Sequence, residues 1–263
     1  MDLTYYQINS FATSQFAGNP AGVCPLAEWL PDDVMQEIAR ERGVSETAFL
    51  VGGNGRYQLR WFTPTVEIDL CGHATLAAAG VVFAELEPTA ERVSFDTASG
   101  ELTVTRSGEL LEMNFPAWEP EVIALPPELR SGLGASPREV LANARDVVAV
   151  FEHEDEVLAL QTRDDELMKL PYTLVIATAP STTHDFVCRV FAPNAGISED
   201  PVTGSAFSTL GPYWVKRLGK ESLAAVQRSE RGGEVLVEEL GERVLIRGRV
   251  VEDFRSTLAL EGR

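Results

Sequence analysis

FTPTVEIDLCGHATLAAAGVVF, residues 62–83, and FAPNAGISEDPVTGSAFSTLGPYW, residues 191–214, are built to one pattern. Each opens on Phe-x-Pro, and seven residues past the proline stands Cys71 in the first and Asp200 in the second. Each then passes through a glycine-containing turn into a run of small and apolar residues. A repeated Phe-x-Pro alone is weak, but the matched interval and the matched strand, turn and helix context make duplication the better explanation. Residues 74–83 are apolar on every side, which predicts a helix buried all round, and a buried helix needs a sheet to wrap it.

Working outward, the spacing of Val34, Met35, Ile38 and Ala39 predicts a helix over 31–42, with Pro31 near its start and Gly43 past its end. Strands are expected at 5–11, 48–51 and 57–62, the last two joined by the turn-forming Gly52-Gly53-Asn54-Gly55. More strands follow at 92–95, 100–106 and 110–115. Pro116, Pro120, Pro126 and Pro127 then fall close together and place a domain boundary near residue 118. Beyond it the pattern predicts a short helix at 128–133 and strands at 146–151, 174–179, 185–191, 224–228, 234–239, 243–251 and 257–260. Two like halves should face each other across a cleft that collects both helix N-termini, whose unpaired N–H groups favour an anion such as a carboxylate.

The 263 residues are 44% hydrophobic, enough for a large core. Lys and Arg total 22 against 40 Asp and Glu, a formal charge of −18 that disfavours nucleic acid and anionic membrane partners. The acids are scattered, as on a solvated surface. The first residues, MDLTYYQINSFAT, have neither the basic flank nor the apolar run of an export signal, and the longest apolar stretch is too short to span a bilayer, so a cytoplasmic protein is expected. Cys24, Cys71 and Cys188 are odd in number and far apart, and the three histidines lack metal-site spacing, so neither a disulfide framework nor a metal is expected. The absence of a Walker sequence, of GxGxxG after a strand and of a cofactor-linking lysine gives no support to a cofactor.

GNPAGV at 18–23, SETAF at 45–49, DLCGHAT at 69–75 and EDPVTGSA at 199–206, with the later PYW at 212–214 and RGG at 231–233, resemble the PhzF-like phenazine-biosynthesis family in both content and order. The resemblance implies an α+β fold of the diaminopimelate-epimerase type, two similar domains each with a curved mixed sheet wrapped around a central helix and an active site in the cleft between them. It places residues 1–117 with about 256–263 in the first domain and 118–255 in the second, because the last strand of such proteins returns to the first half. It also implies a homodimer.

Matched motif to motif, the family's proton-transferring glutamate falls on Glu46, its active-site histidine on His73, its aspartate on Asp200 and its serine on Ser205. Asn19, Gly72 and Gly204 join Ser205 as expected substrate contacts. Each has a plainer reading: Glu46 as an exposed loop acid, His73 as a polar cap beside Gly72, Asp200 as half of an Asp-Pro turn, Ser205 as a helix N-cap. The motif context favours function: a carboxyl at a strand start, partly buried, can accept and return a proton. The implied activity is a cofactor-independent isomerisation by intramolecular proton shift, on a small molecule with amine and carboxylate groups. The substrate named for the family is trans-2,3-dihydro-3-hydroxyanthranilate. Phe207-Ser208 stands where the family often has His-Cys, so the substrate named for the family does not carry over with the motifs. Two rivals remain: a racemase or epimerase using two thiols, for which Cys71 has a position but Asp200 occupies the echoing one, and a binding protein of the same fold without turnover.

Overall fold

The computed structural model describes residues 2–260, so the end of the expected return segment, 261–263, lies outside the described residues. The chain divides into two compact units, Met1–Asn114 with Arg247–Arg263, and Phe115–Ile246. Among the described residues no helix is long and apolar enough to cross a membrane.

In the first unit, Asp2–Ser10 runs antiparallel to Asn19–Leu26, with Ser10 opposite Asn19. Asn19–Leu26 runs parallel to Glu46–Gly53, with Ala21 opposite Glu46. The chain turns at Asn54-Gly55 into antiparallel Arg56–Phe62, which has Arg92–Thr97 as a parallel neighbour; Gly100–Ser107 follows antiparallel. The Gly72–Val81 helix packs against the first three of these strands, and eight of its ten residues are buried, as an apolar run without a polar face requires.

The second unit has the same succession of pairings. Glu139–Ala142 is antiparallel to Asp146–Val150, which is parallel to Leu174–Pro180; that strand is antiparallel to Phe186–Ala192, which is parallel to Ser222–Gln227, itself antiparallel to Gly233–Glu239. The Phe207–Leu218 helix packs on the last two strands. Identical order and sense of pairing is what the duplicated pattern encodes. The likeness extends to single atoms: Gly80 is the ninth residue of GHATLAAAG and Gly211 the ninth of TGSAFSTLG. A Cβ on Gly80 would lie 2.7 Å from Val250 Cγ2, and one on Gly211 would lie 2.9 Å from Val237 Cγ1. Valine has little rotamer freedom with which to retreat, so each central helix lets its strand approach through a bare backbone.

Pro212 sits inside the second helix and has no N–H for the carbonyl four residues back. That carbonyl, of Ser208, takes the Trp118 N–H at 2.9 Å instead.

The C-terminal strands differ from expectation. The single strand read over 243–251 is broken at Arg249 into Arg243–Gly248 and Val250–Ala259, and 257–260 is the end of the latter rather than a strand of its own. The Arg249 carbonyl accepts the Ala12 N–H at 3.2 Å. Val250–Ala259 pairs antiparallel along all of Asp2–Ser10, with one bulge at Gln7/Ile8, so the chain is back in the first unit from Arg247, ahead of the expected Ser256. Five of the ten residues of VVEDFRSTLA are exposed and none is fully buried, and its apolar side chains do not recur at every second position, which hid its length.

Gly18 has a φ of 77°, and a Cβ there would lie 2.4 Å from the Ser10 carbonyl oxygen and 2.9 Å from Ala12 Cα. Both obstacles include main-chain atoms. Gly18→Ala should therefore lower the unfolding free energy by about 2–4 kcal/mol, measured by urea denaturation; a loss within experimental error would refute this reading of the loop.

Candidate active site

Glu46 is the first residue of its strand, paired in register with Ala21 of the parallel neighbour, and is 7% exposed. On that same neighbouring strand, two residues before Ala21, Asn19 is buried and opposite Ser10 of the first strand. The Ser10 hydroxyl donates to the main-chain carbonyl of His73 at 2.7 Å, tying the first strand to the start of the Gly72–Val81 helix. His73 occupies the first turn of that helix, just after Gly72, and is 7% exposed. Its Nε2 lies 3.2 Å from Glu46 Oε2. Both atoms are inaccessible to water, yet neither has a properly directed hydrogen-bond partner.

The other ring nitrogen, Nδ1, lies 3.5 Å from Cys71 Sγ. Burial opposes a charged imidazole, but the Cys71 sulfur and the Glu46 carboxylate more than offset it and hold the His73 pKa well above its ordinary 6.5. Burial, reinforced by Glu46, pushes the Cys71 thiol up. Cys71 is thus in contact with His73. Its position just ahead of Gly72 gave no sign of which way its side chain turns.

Glu46, Cys71 and His73 each bring a ligand-type atom to within 4.8 Å of the others, a carboxylate, a thiol and an imidazole, donors that zinc accepts. They are strung as a chain, since the imidazole offers different nitrogens to its two partners. A single ion takes only one of them.

The second unit carries its own cluster. Asp200 ends the short strand Ile197–Asp200 and is 9% exposed. The Thr203 hydroxyl donates to Asp200 Oδ2 at 2.5 Å. Gln227, wholly buried, donates through Nε2 to the Asp200 carbonyl at 2.7 Å and accepts the Thr203 N–H through Oε1 at 2.9 Å. Neither Thr203 nor Gln227 was singled out from the sequence; Thr203 lies inside EDPVTGSA, whereas Gln227 carries no local signal.

Gly204 and Ser205 lie in a 3-10 turn, Gly204–Ala206, whose N-cap is Thr203, so Ser205 is not the cap of the following helix, which begins at Phe207. The Ser205 carbonyl accepts from Arg145 Nη2 at 2.9 Å, and Asp146 grips the same guanidinium through two bonds of 2.7 and 2.8 Å. Cys188 is wholly buried in the strand Phe186–Ala192, where burial pushes its thiol far up, which removes it as a reactive second thiol.

A histidine whose pKa is raised on folding binds its proton more tightly in the folded state. The stability it contributes is complete below 6.5 and is lost as pH rises through the higher folded value. By ring NMR, His73 should titrate above 6.5, and Glu46→Gln should lower its midpoint; an unchanged midpoint would show that Glu46 is not the charge that holds the proton.

The family model described as phenazine biosynthesis-like protein matches residues 8–255. An uncharacterized isomerase of Pseudomonas aeruginosa is 48% identical over 260 residues, covering 99% of this chain and all of its own. The crystal structure of a PhzC/PhzF phenazine-biosynthesis protein from Clostridium difficile is similar with a TM-score of 0.94 at 44% identity, covering 98% of this chain and 100% of that one. A hydroxyproline epimerase of Agrobacterium vitis, 11% identical with a TM-score of 0.61 over 99% and 93% of the two chains, shares the fold alone. Whole-length agreement in sequence and in structure establishes that this chain belongs to the PhzC-PhzF, phenazine biosynthesis-like family of isomerases.

Proposed function

We propose that the chain is a cofactor-independent isomerase in which Glu46 moves a carbon-bound proton within one small, cyclic, amino-acid-like molecule. The observation that carries this reading is the pair of buried atoms Glu46 Oε2 and His73 Nε2, 3.2 Å apart and both without a directed hydrogen bond. Leaving a buried polar group unsatisfied costs about 1–3 kcal/mol. A substrate atom that completes both groups turns that cost into binding and orientation.

In this reading the Glu46 carboxylate takes a proton from carbon, and the electron pair of the broken C–H bond enters the conjugated system and shifts its double bond. Protonated Glu46 then returns the proton to another carbon of the same molecule. Nothing is gained or lost overall and no electrons leave the substrate. His73 holds a polar substituent beside the reacting carbon, and the unpaired N–H groups at the helix start by Gly72 take a carboxylate. Asp200 takes the amine, with Gly204, Ser205 and Asn19 completing the contacts.

The substrate is of the chemical class of trans-2,3-dihydro-3-hydroxyanthranilate, and the second helix entry meets it with different side chains. Phe207 and Ser208 are apolar and small where the family often carries His-Cys, and Ser208 is wholly buried with a hydroxyl that has no partner. A ligand group that met an imidazole at that point would find none here. The protein acts as a homodimer in the cytoplasm, within a biosynthetic route.

The test is deuterium incorporation from D2O, followed by NMR, over a panel of cyclic and linear amino acids that includes dihydrohydroxyanthranilate. Exchange or isomerisation should occur with at least one cyclic member and fall by about 100- to 10,000-fold in Glu46→Gln. Exchange that survives the substitution would remove Glu46 from the role.

A further inference from the structure

Cys71 stands at the N-cap of the Gly72–Val81 helix with φ −145° and ψ 112°, an ordinary extended conformation for that place. Serine, threonine, aspartate and asparagine are favoured there, because a side-chain oxygen accepts one of the first N–H groups of the helix. A thiol is a weak acceptor, so the contact from the Ala74 N–H to the Cys71 sulfur falls short of the cap an oxygen would make. Its sulfur is 3.5 Å from His73 Nδ1, while the opposite ring nitrogen faces Glu46 at 3.2 Å. The main chain on both sides is pinned. The Cys71 carbonyl accepts from Thr75 N–H at 3.2 Å and Thr75 Oγ1 at 2.5 Å, and the His73 carbonyl accepts from Ser10 Oγ at 2.7 Å. With the backbone fixed, the freedom left to His73 is rotation of its side chain, and the sulfur is the group that meets Nδ1.

We infer that Cys71 is a positioning residue: its sulfur engages Nδ1 of His73 and so presents Nε2 toward Glu46 and the reacting molecule, and the helix start carries a weakly accepting thiol in place of a capping oxygen for it. The kinetic half of this inference rests on the proposed role of Glu46; the structural half does not. A role in packing alone would be met by any small side chain. A positioning role is specific to an atom that reaches the ring, and it predicts an unusual combination in Cys71→Ser. The serine oxygen is the better acceptor for the helix N–H groups and is drawn away from His73 to cap the helix.

The experiment compares wild type, Cys71→Ser and Cys71→Ala by nitrogen-15 NMR of the histidine rings, thermal unfolding, and proton exchange on whichever panel member reacts. Cys71→Ser should be folded with a melting temperature about 2–4 °C higher, while the His73 Nδ1 resonance shifts and kcat falls about 10- to 100-fold with KM little changed. Cys71→Ala should show the same ring shift and kcat loss without the gain in melting temperature. His73 ring signals unchanged in both variants, or kcat retained, would overturn the inference. If no panel member reacts with wild type, the Glu46 reading fails while the ring spectra still decide for or against Cys71. If Glu46→Gln abolishes exchange but the ring signals of the Cys71 variants do not move, the Cys71 inference alone fails.

Discussion

A carboxylate oxygen and an imidazole nitrogen, both out of water and 3.2 Å apart, attract each other without forming a directed hydrogen bond, so their placement depends on the elements that carry them. The first unit supplies those elements. Glu46 is set by the register of a parallel strand pair, and His73 by the start of a helix buried on nearly every face. The Ser10 hydroxyl, bonded to the His73 carbonyl, links the two systems through the strand that pairs with Asn19–Leu26. Small residues make this possible. A Cβ at Gly22 would lie 2.7 Å from the Tyr5 ring and 2.8 Å from Thr47 Oγ1, beside Glu46 in sequence, so the strand carrying Asn19 packs against its neighbours only because that position is bare.

The second unit solves a parallel problem with different chemistry. Its central helix has the same bare position, Gly211 for Gly80, and the same succession of strand pairings. Where the first unit places a thiol and an imidazole, however, the second places an aspartate held by Thr203 and backed by the Gln227 amide. Duplication preserved the scaffold while the side chains at the helix starts diverged. That divergence argues against a symmetric pair of thiols and leaves Glu46 as the buried acid beside a histidine.

Much of this was legible in the sequence wherever a local cause fixes the element. An apolar run without a polar face dictates a buried helix, Asn54-Gly55 dictates a tight hairpin, and the spaced Phe-x-Pro repeats point to duplication. Illegible features share a different origin. Asn19–Leu26 contains Pro20 and Pro25 and carries no local strand signal, yet it is a nearly buried strand because its neighbours on both sides supply the pairing. Val250–Ala259 hides its length because none of its residues is fully buried and the irregularity opposite Gln7/Ile8 breaks its alternation. Gln227 lies 27 residues from Asp200 in the chain and meets it only through the fold. The side chain of Cys71 is a choice between two partners, the helix it precedes and the ring two residues on, and sequence does not state that choice.

In the proposed reaction one buried carboxylate carries the same proton off and back. The most direct measurement is turnover in ordinary water of a substrate deuterated at the carbon that loses its proton, with the product examined at the earliest conversion by mass spectrometry and NMR. Glu46 is 7% exposed and its Oε2 is shielded, so part of the deuterium should reappear at the new position of the same molecule. Product free of deuterium at that position from the first turnovers would contradict a single shielded carrier and require a second group, open to solvent, to deliver the proton.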